Sequence, residues 1–108
     1  MLQIAEAAEG QTVITTFEMT PGTCADVLDA LRDAYEAVIR HQPGFLGAAL
    51  HVNDAQTRIV TYSRWGRRED FQAMLRTPEM RDRNRAIAGQ CARFEPVMVE
   101  VAAVVERG

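Results

Sequence analysis

Lysine is missing from this chain: all twelve basic residues are arginine. Without a lysine amine there is no Schiff-base chemistry and no P-loop of the usual kind. Cysteine is scarce. Cys24 and Cys91 lie far apart, form no C-x-x-C and have no metal-ligand spacing, so they read as reduced, partly buried thiols. Positive charge is not in excess. The formal net charge is -3 and the pI about 5.3, which argues against a nucleic-acid footprint. No apolar run approaches the roughly 18 residues of a membrane span. The acidic start MLQIAEAAEG lacks the basic n-region of a signal peptide, so a cytoplasmic location is expected. The two histidines, His41 and His51, form no H-x-x-x-H and have no neighbouring carboxylate, so no metal site is expected. Ser-His-Asp, G-x-S-x-G and nucleotide-loop patterns are also absent.

What is there is an ordinary globular composition, 47% hydrophobic and 25% charged over 108 residues. It reads as one domain spanning 1–108, with 1–10 as a loose N-terminal arm. A chain of this size buries about two-thirds of its unfolded surface, enough for one modest core. The β-branched, alternating TVITTFEM predicts a first strand over Thr12–Met19. Thr20-Pro21-Gly22-Thr23 is a turn offering N-cap candidates. ADVLDALRDAYEAVIRHQ then carries Val27, Leu28, Leu31, Tyr35, Val38 and Ile39 at helical spacing, and Pro43-Gly44 stops it. FLGAALHV and Arg58–Trp65 predict a hairpin around Asn53-Asp54-Ala55-Gln56. RREDFQAMLR begins a second helical region, re-initiated at Thr77-Pro78 and running to about Cys91. PVMVEVAAVVE predicts the fourth strand. The order β-α-β-β-α-β is the ferredoxin-like split arrangement: an α+β fold with a four-stranded antiparallel sheet and helices on one face.

Strand parity puts Ile59, Thr61, Ser63 and Trp65 on one face of the third strand, and Arg58, Val60, Tyr62 and Arg64 on the other. Both faces carry apolar residues. The face without helices needs another sheet, and a homodimer packed sheet against sheet is the simplest solution. Under the helices, Trp65 beside two hydroxyls reads either as a core plug or as the wall of a ligand pocket. His51, inside a strand, reads as a structural or interface residue or as a general base. His41 reads as a helix-end residue. Arg64, Arg67, Arg68, Glu69 and Asp70 are charge-balanced and read as a solvated helix start. Arg81, Arg83 and Arg85 cannot all share one helix face, and Arg81 is the one expected to point inward toward an anionic or phenolic oxygen.

The segment HQPGFLGAALHVNDAQTRIVTYSRWGRREDFQAMLRTPEMRDR resembles the antibiotic biosynthesis monooxygenase family. The carrying motifs are Pro43-Gly44-Phe45, the alternating strand ending in Trp65, then Glu69, Phe71, Pro78-Glu79-Met80-Arg81 and Phe94-Glu95-Pro96. The resemblance implies a dimeric α+β barrel and an oxygenation of aromatic polyketides by dioxygen, with no metal, flavin or haem. It makes Trp65 the pocket tryptophan. Thr61 stands where several relatives have asparagine, and Phe71 where some carry tyrosine. The haem-degrading branch has a histidine on the helix after the tryptophan; this chain has none there. With the strand-borne His51 as the candidate base, the expected catalytic residues are Trp65, Thr61 and His51. The expected substrate contacts are Ser63, Phe71, Met74, Arg81 and Tyr35.

Three functions are open on this reading. One is a cofactor-independent monooxygenase converting an anthrone-type or quinol ring to a quinone. Another is a cyclase or isomerase with His51 as base. The third is a non-catalytic aromatic-ligand-binding dimeric module.

Overall fold

A computed structural model of the chain describes residues 10–108. The expected loose arm therefore lies, but for Gly10, outside the described residues. The elements are β1 (Gln11–Glu18), α1 (Pro21–Ala37), β2 (Phe45–Val52), β3 (Arg58–Trp65), α2 (Arg68–Leu75), α3 (Pro78–Ala88) and β4 (Arg93–Val99), with a single 3-10 turn at Ile39–His41. The strands form one antiparallel sheet in the order β2-β3-β1-β4. That is the ferredoxin-like α+β arrangement, with the helices stacked on one face.

Alternation places the core. On β1, Val13, Thr15 and Phe17 are buried and stand opposite Ser63, Thr61 and Ile59 of β3. This helix-covered face splits into two apolar clusters. One gathers Val13, Ala34, Ile39, Trp65, Phe71, Met74 and Met80; the other gathers Phe17, Met19, Cys24, Val27, Leu31, Ile59 and Ile87. On the opposite face Val97 remains 47% exposed, and the shielded Tyr62 hydroxyl has no hydrogen-bond partner among the described residues.

Element ends differ from the sequence reading where local chemistry intervenes. Helix α1 starts at Pro21, since proline at the first helical position has no N–H to waste. It breaks at Val38, whose backbone leaves helical geometry before the 3-10 turn. The hairpin loop is one residue longer than expected. Asn53 Oδ1 accepts from the backbone N–H groups of Thr57 and Arg58, both at 2.9 Å, and thereby closes it. Thr77 caps α3 as its sequence implies. Its hydroxyl accepts from the Met80 N–H at 3.3 Å and donates to the Met74 carbonyl at 2.9 Å, stitching α2 to α3.

The fourth strand is the larger correction. It runs over Arg93–Val99 and not over residues 96–106. Its start is drawn forward by Phe94 stacking on Phe17 (centroids 5.1 Å apart) and by Arg93 pairing with Glu18 (2.6 Å). Its end comes where β1 runs out. The ladder's last pair is Thr12↔Val99, and Gln11 Nε2 donates to the Val99 carbonyl at 3.0 Å. Among the described residues, the apolar residues beyond have no strand to pair with. Pro96 is tolerated because β4 is an edge strand.

Gly44 fixes the start of β2 beside α2. Its φ is +82°, and a Cβ there would overlap the Asp70 carboxylate of α2. Its carbonyl accepts from the Gly66 N–H at 2.7 Å, tying the start of β2 to the end of β3.

Candidate active site

Between the two apolar clusters lies a cleft whose empty space, open solvent included, is about 470 Å³. Its floor is sheet: Thr15, Phe17, Thr61, Phe94 and Pro96. Helix α1 contributes Leu31, Ala34 and Tyr35, α2 contributes Phe71, Met74 and Leu75, and α3 contributes Met80, Asn84 and Ile87. Among the described residues no charged side chain lines it. The wall is apolar with four polar positions, Thr15, Tyr35, Thr61 and Asn84.

Three of those polar groups form a unit. Thr15 and Thr61 are cross-strand partners on the buried face. The Tyr35 phenol comes down from α1 beside Thr61 and Ser63. Burial pushes its pKa above the ordinary value of 10.0, and hydrogen bonding with Thr61 and Ser63 offsets part of that rise. Across the pH range of most enzymes it is a neutral donor. Behind it, Trp65 Nε1–H donates to Ser63 Oγ at 3.1 Å. Tyr35, Thr61, Ser63 and Trp65 thus make a continuous polar seam through an otherwise apolar core.

Of the residues singled out from sequence, Thr61, Tyr35, Phe71 and Met74 come together in the cleft. Trp65 and Ser63 stand one layer behind it. Trp65 is fully buried, packed edge-on against Phe71 (centroids 5.8 Å, 67°) and Phe45 (5.3 Å, 72°). The ring that meets the cavity is Phe71, with Trp65 as its backing, because the last residue of β3 lies under α2 and not under the gap between helices.

His51 is set apart. Strand register pairs it with Val60, on the face away from the helices, where it is exposed. Its Nδ1 lies 3.1 Å from the Val60 carbonyl oxygen, which requires that nitrogen to donate. It does not reach the cleft. Arg81 is likewise exposed and does not point inward. The inward stripe of α3 is Met80, Asn84 and Ile87, and Arg83 instead pairs with Asp33 of α1. His41 is exposed, as expected of a helix-end residue.

Thr15 and Asn84 were missed. Thr15 is identifiable only through its register opposite Thr61. Asn84 did carry a signal: it is the polar member of an i, i+4, i+7 stripe that is otherwise apolar.

Comparison with known proteins agrees with this geometry. A family profile described as antibiotic biosynthesis monooxygenase matches residues 10–86. The tetracenomycin-F1 monooxygenase of Streptomyces glaucescens is 30% identical over 80 residues, covering 74% of this chain and 71% of its own. Among solved structures, a point mutant of the cofactor-independent oxygenase SnoaB of Streptomyces nogalater superposes with a TM-score of 0.78 at 19% identity, over 93% of this chain and 100% of its own. The ActVA-Orf6 monooxygenase of Streptomyces coelicolor, solved with nanaomycin D, gives 0.79 at 19% identity, over 93% and 94%. At that identity the structural likeness speaks for the fold alone. The family rests on the profile match, which takes in Thr61, Phe71 and Asn84 together with the whole of β1 to α2: the chain belongs to the antibiotic biosynthesis monooxygenases.

Proposed function

We propose that this protein is a cofactor-independent monooxygenase that oxidises an aromatic polyketide, of anthrone or quinol type, to a quinone with dioxygen. The observation that carries this reading is the cleft itself: an apolar slot with no charged lining residue, whose floor presents a neutral hydroxyl cluster of Thr15, Thr61 and Tyr35. An anthrone is a carbon acid whose own ring supplies the electrons. Hydrogen bonds from Tyr35 and Thr61 to its carbonyl oxygen stabilise the enolate in a low-dielectric site, and the proton leaves to solvent at the open mouth. The enolate transfers electrons to dioxygen and a C–O bond forms at the former methylene carbon. Loss of water from the resulting hydroperoxide leaves the quinone, with one oxygen atom in product and one in water. The relatives named as a tetracenomycin-F1 monooxygenase and a cofactor-independent oxygenase support the same class.

Chelator-treated protein is expected to consume one dioxygen per anthrone and to yield anthraquinone. Neither metal nor flavin should copurify in stoichiometric amount by elemental analysis and visible spectrum. Conversion that proceeds equally under nitrogen would indicate a cyclase or isomerase instead. Saturable binding with no turnover would indicate a ligand-binding module.

The helix-free face supports a homodimer. Ile14, Val60, Tyr62 and Val97 form its middle, and Glu18, Arg58 and Arg93 a charged rim joined by ion pairs at 3.2 and 2.6 Å. An apolar centre with a polar rim is interface anatomy. Sedimentation is expected to show a dimer at micromolar concentration; a monomer alone would refute it.

A further inference from the structure

We infer that Asn84 is the specificity residue of the cleft, reading a second, uncharged oxygen substituent on the aromatic ring. The inference rests on the cleft being the substrate site, as proposed above. Asn84 lies on the inward stripe of α3, between Met80 (2% exposed) and Ile87 (1% exposed), and lines the cleft half-buried. Leucine or methionine would suit that stripe better, since asparagine is a poor helix former and its amide is costly to remove from water.

The cost is not recovered inside the protein. The Asn84 carboxamide makes no hydrogen bond to any described residue, although it carries two donors and an acceptor oxygen. The contrast with the rest of the site is sharp. Tyr35 stands beside Thr61 and Ser63, near enough for their hydroxyls to offset part of the rise in its pKa, and Ser63 accepts from Trp65. The cleft thus has one polar group cluster rooted in the sheet and α1, and a second, separate polar group carried by α3. Met80 belongs to one apolar cluster and Ile87 to the other, so Asn84 sits where the two halves of the core meet across the gap.

A planar ring whose first oxygen takes the Tyr35–Thr61 pair leaves the α3 side of the cleft for its remaining substituents. A carbonyl or hydroxyl there meets an amide able to donate or accept. A carboxylate finds no cation, because no charged side chain lines the cleft among the described residues. The site therefore favours rings with two neutral oxygens at separate edges over rings with one. A site built to hydrogen-bond a substituent discriminates strongly against the analogue that lacks it.

The test uses two probes, 2-hydroxyanthrone, which adds a neutral oxygen away from the reacting methylene, and anthrone, which lacks it, titrated without dioxygen. Binding is read from the fluorescence of Trp65, the single tryptophan, packed against Phe71 of the cleft wall. Asn84→Leu is expected to weaken 2-hydroxyanthrone binding about tenfold, equivalent to about 1.4 kcal/mol, while anthrone stays within about twofold. Asn84→Ala, which adds no bulk, should show the same selectivity, and circular dichroism reports that each variant is folded. Equal weakening of both probes means that Asn84 only shapes the wall and overturns the inference, as does no weakening of either. If the unmodified protein binds neither probe, the cleft reading falls first and this inference with it.

Discussion

Trp65→Ala is expected to cost about 3–5 kcal/mol of folding stability. The indole is completely buried, joins the cluster of Val13, Ala34, Ile39, Phe71, Met74 and Met80, and is the edge-on partner of both Phe45 and Phe71. Truncation leaves a cavity at the end of β3 and removes the N–H that Ser63 Oγ accepts. For a domain with a total stability of about 5–15 kcal/mol the loss is severe. The melting temperature should fall by at least about 12 °C, and circular dichroism is the readout because the fluorophore is gone. Trp65→Phe keeps an aromatic against Phe71 and should lose about 1–3 kcal/mol, through the lost N–H donor to Ser63 and the smaller ring. Its turnover per folded molecule should drop less than that of a variant altered in the cleft lining. An alanine variant that melts within a few degrees of the parent would show that this tryptophan is not a core residue.

Tyr35→Phe is expected to reverse that pattern, with kcat down about a hundredfold and the melting temperature nearly unchanged. The phenol is the donor that the proposed enolate oxygen would use: neutral, desolvated and beside Thr61 and Ser63. The substitution removes one oxygen and leaves the ring, which packs against Phe45 at 6.2 Å, in place. The pH profile provides a second signature. Burial raises the Tyr35 pKa above 10.0 in the folded protein, so the donor persists as pH rises toward 10.0 and is lost only beyond it. The parent enzyme should show a falling alkaline limb above that value, and the phenylalanine variant should lack it. Stability has the same sign. A pKa higher folded than unfolded contributes fully below 10.0 and fades as pH climbs through the folded value, so alkaline destabilisation should be shallower in the variant. A kcat within about threefold of the parent would remove Tyr35 from the reaction.

The sequence by itself determined the element order and one residue of the site's floor, Thr61. Period-2 alternation is a local property, and it placed Ile59, Thr61, Ser63 and Trp65 on the covered face of a strand whose bounds, Arg58–Trp65, were legible in full. Thr77-Pro78 announced α3 because a cap and a proline at the first helical position act within one turn. The motifs around Trp65, Phe71 and Pro78 were enough to place the chain among its relatives.

Tertiary structure decided the rest. Whether Trp65 meets a ligand depends on where α2 lies over the sheet, a long-range packing outcome that put Phe71 in front of it. His51 and Thr61 sit on adjacent strands, yet register pairs His51 with Val60 and turns it to the opposite face. The turn of α3 about its axis brought Asn84 inward and left Arg81 in solvent, because burying Met80 and Ile87 removes more apolar surface from water than any phase that buries arginine. The fourth strand ended at Val99 although the valines continue, since a strand extends only as far as its neighbour offers hydrogen bonds, and β1 begins at Gln11.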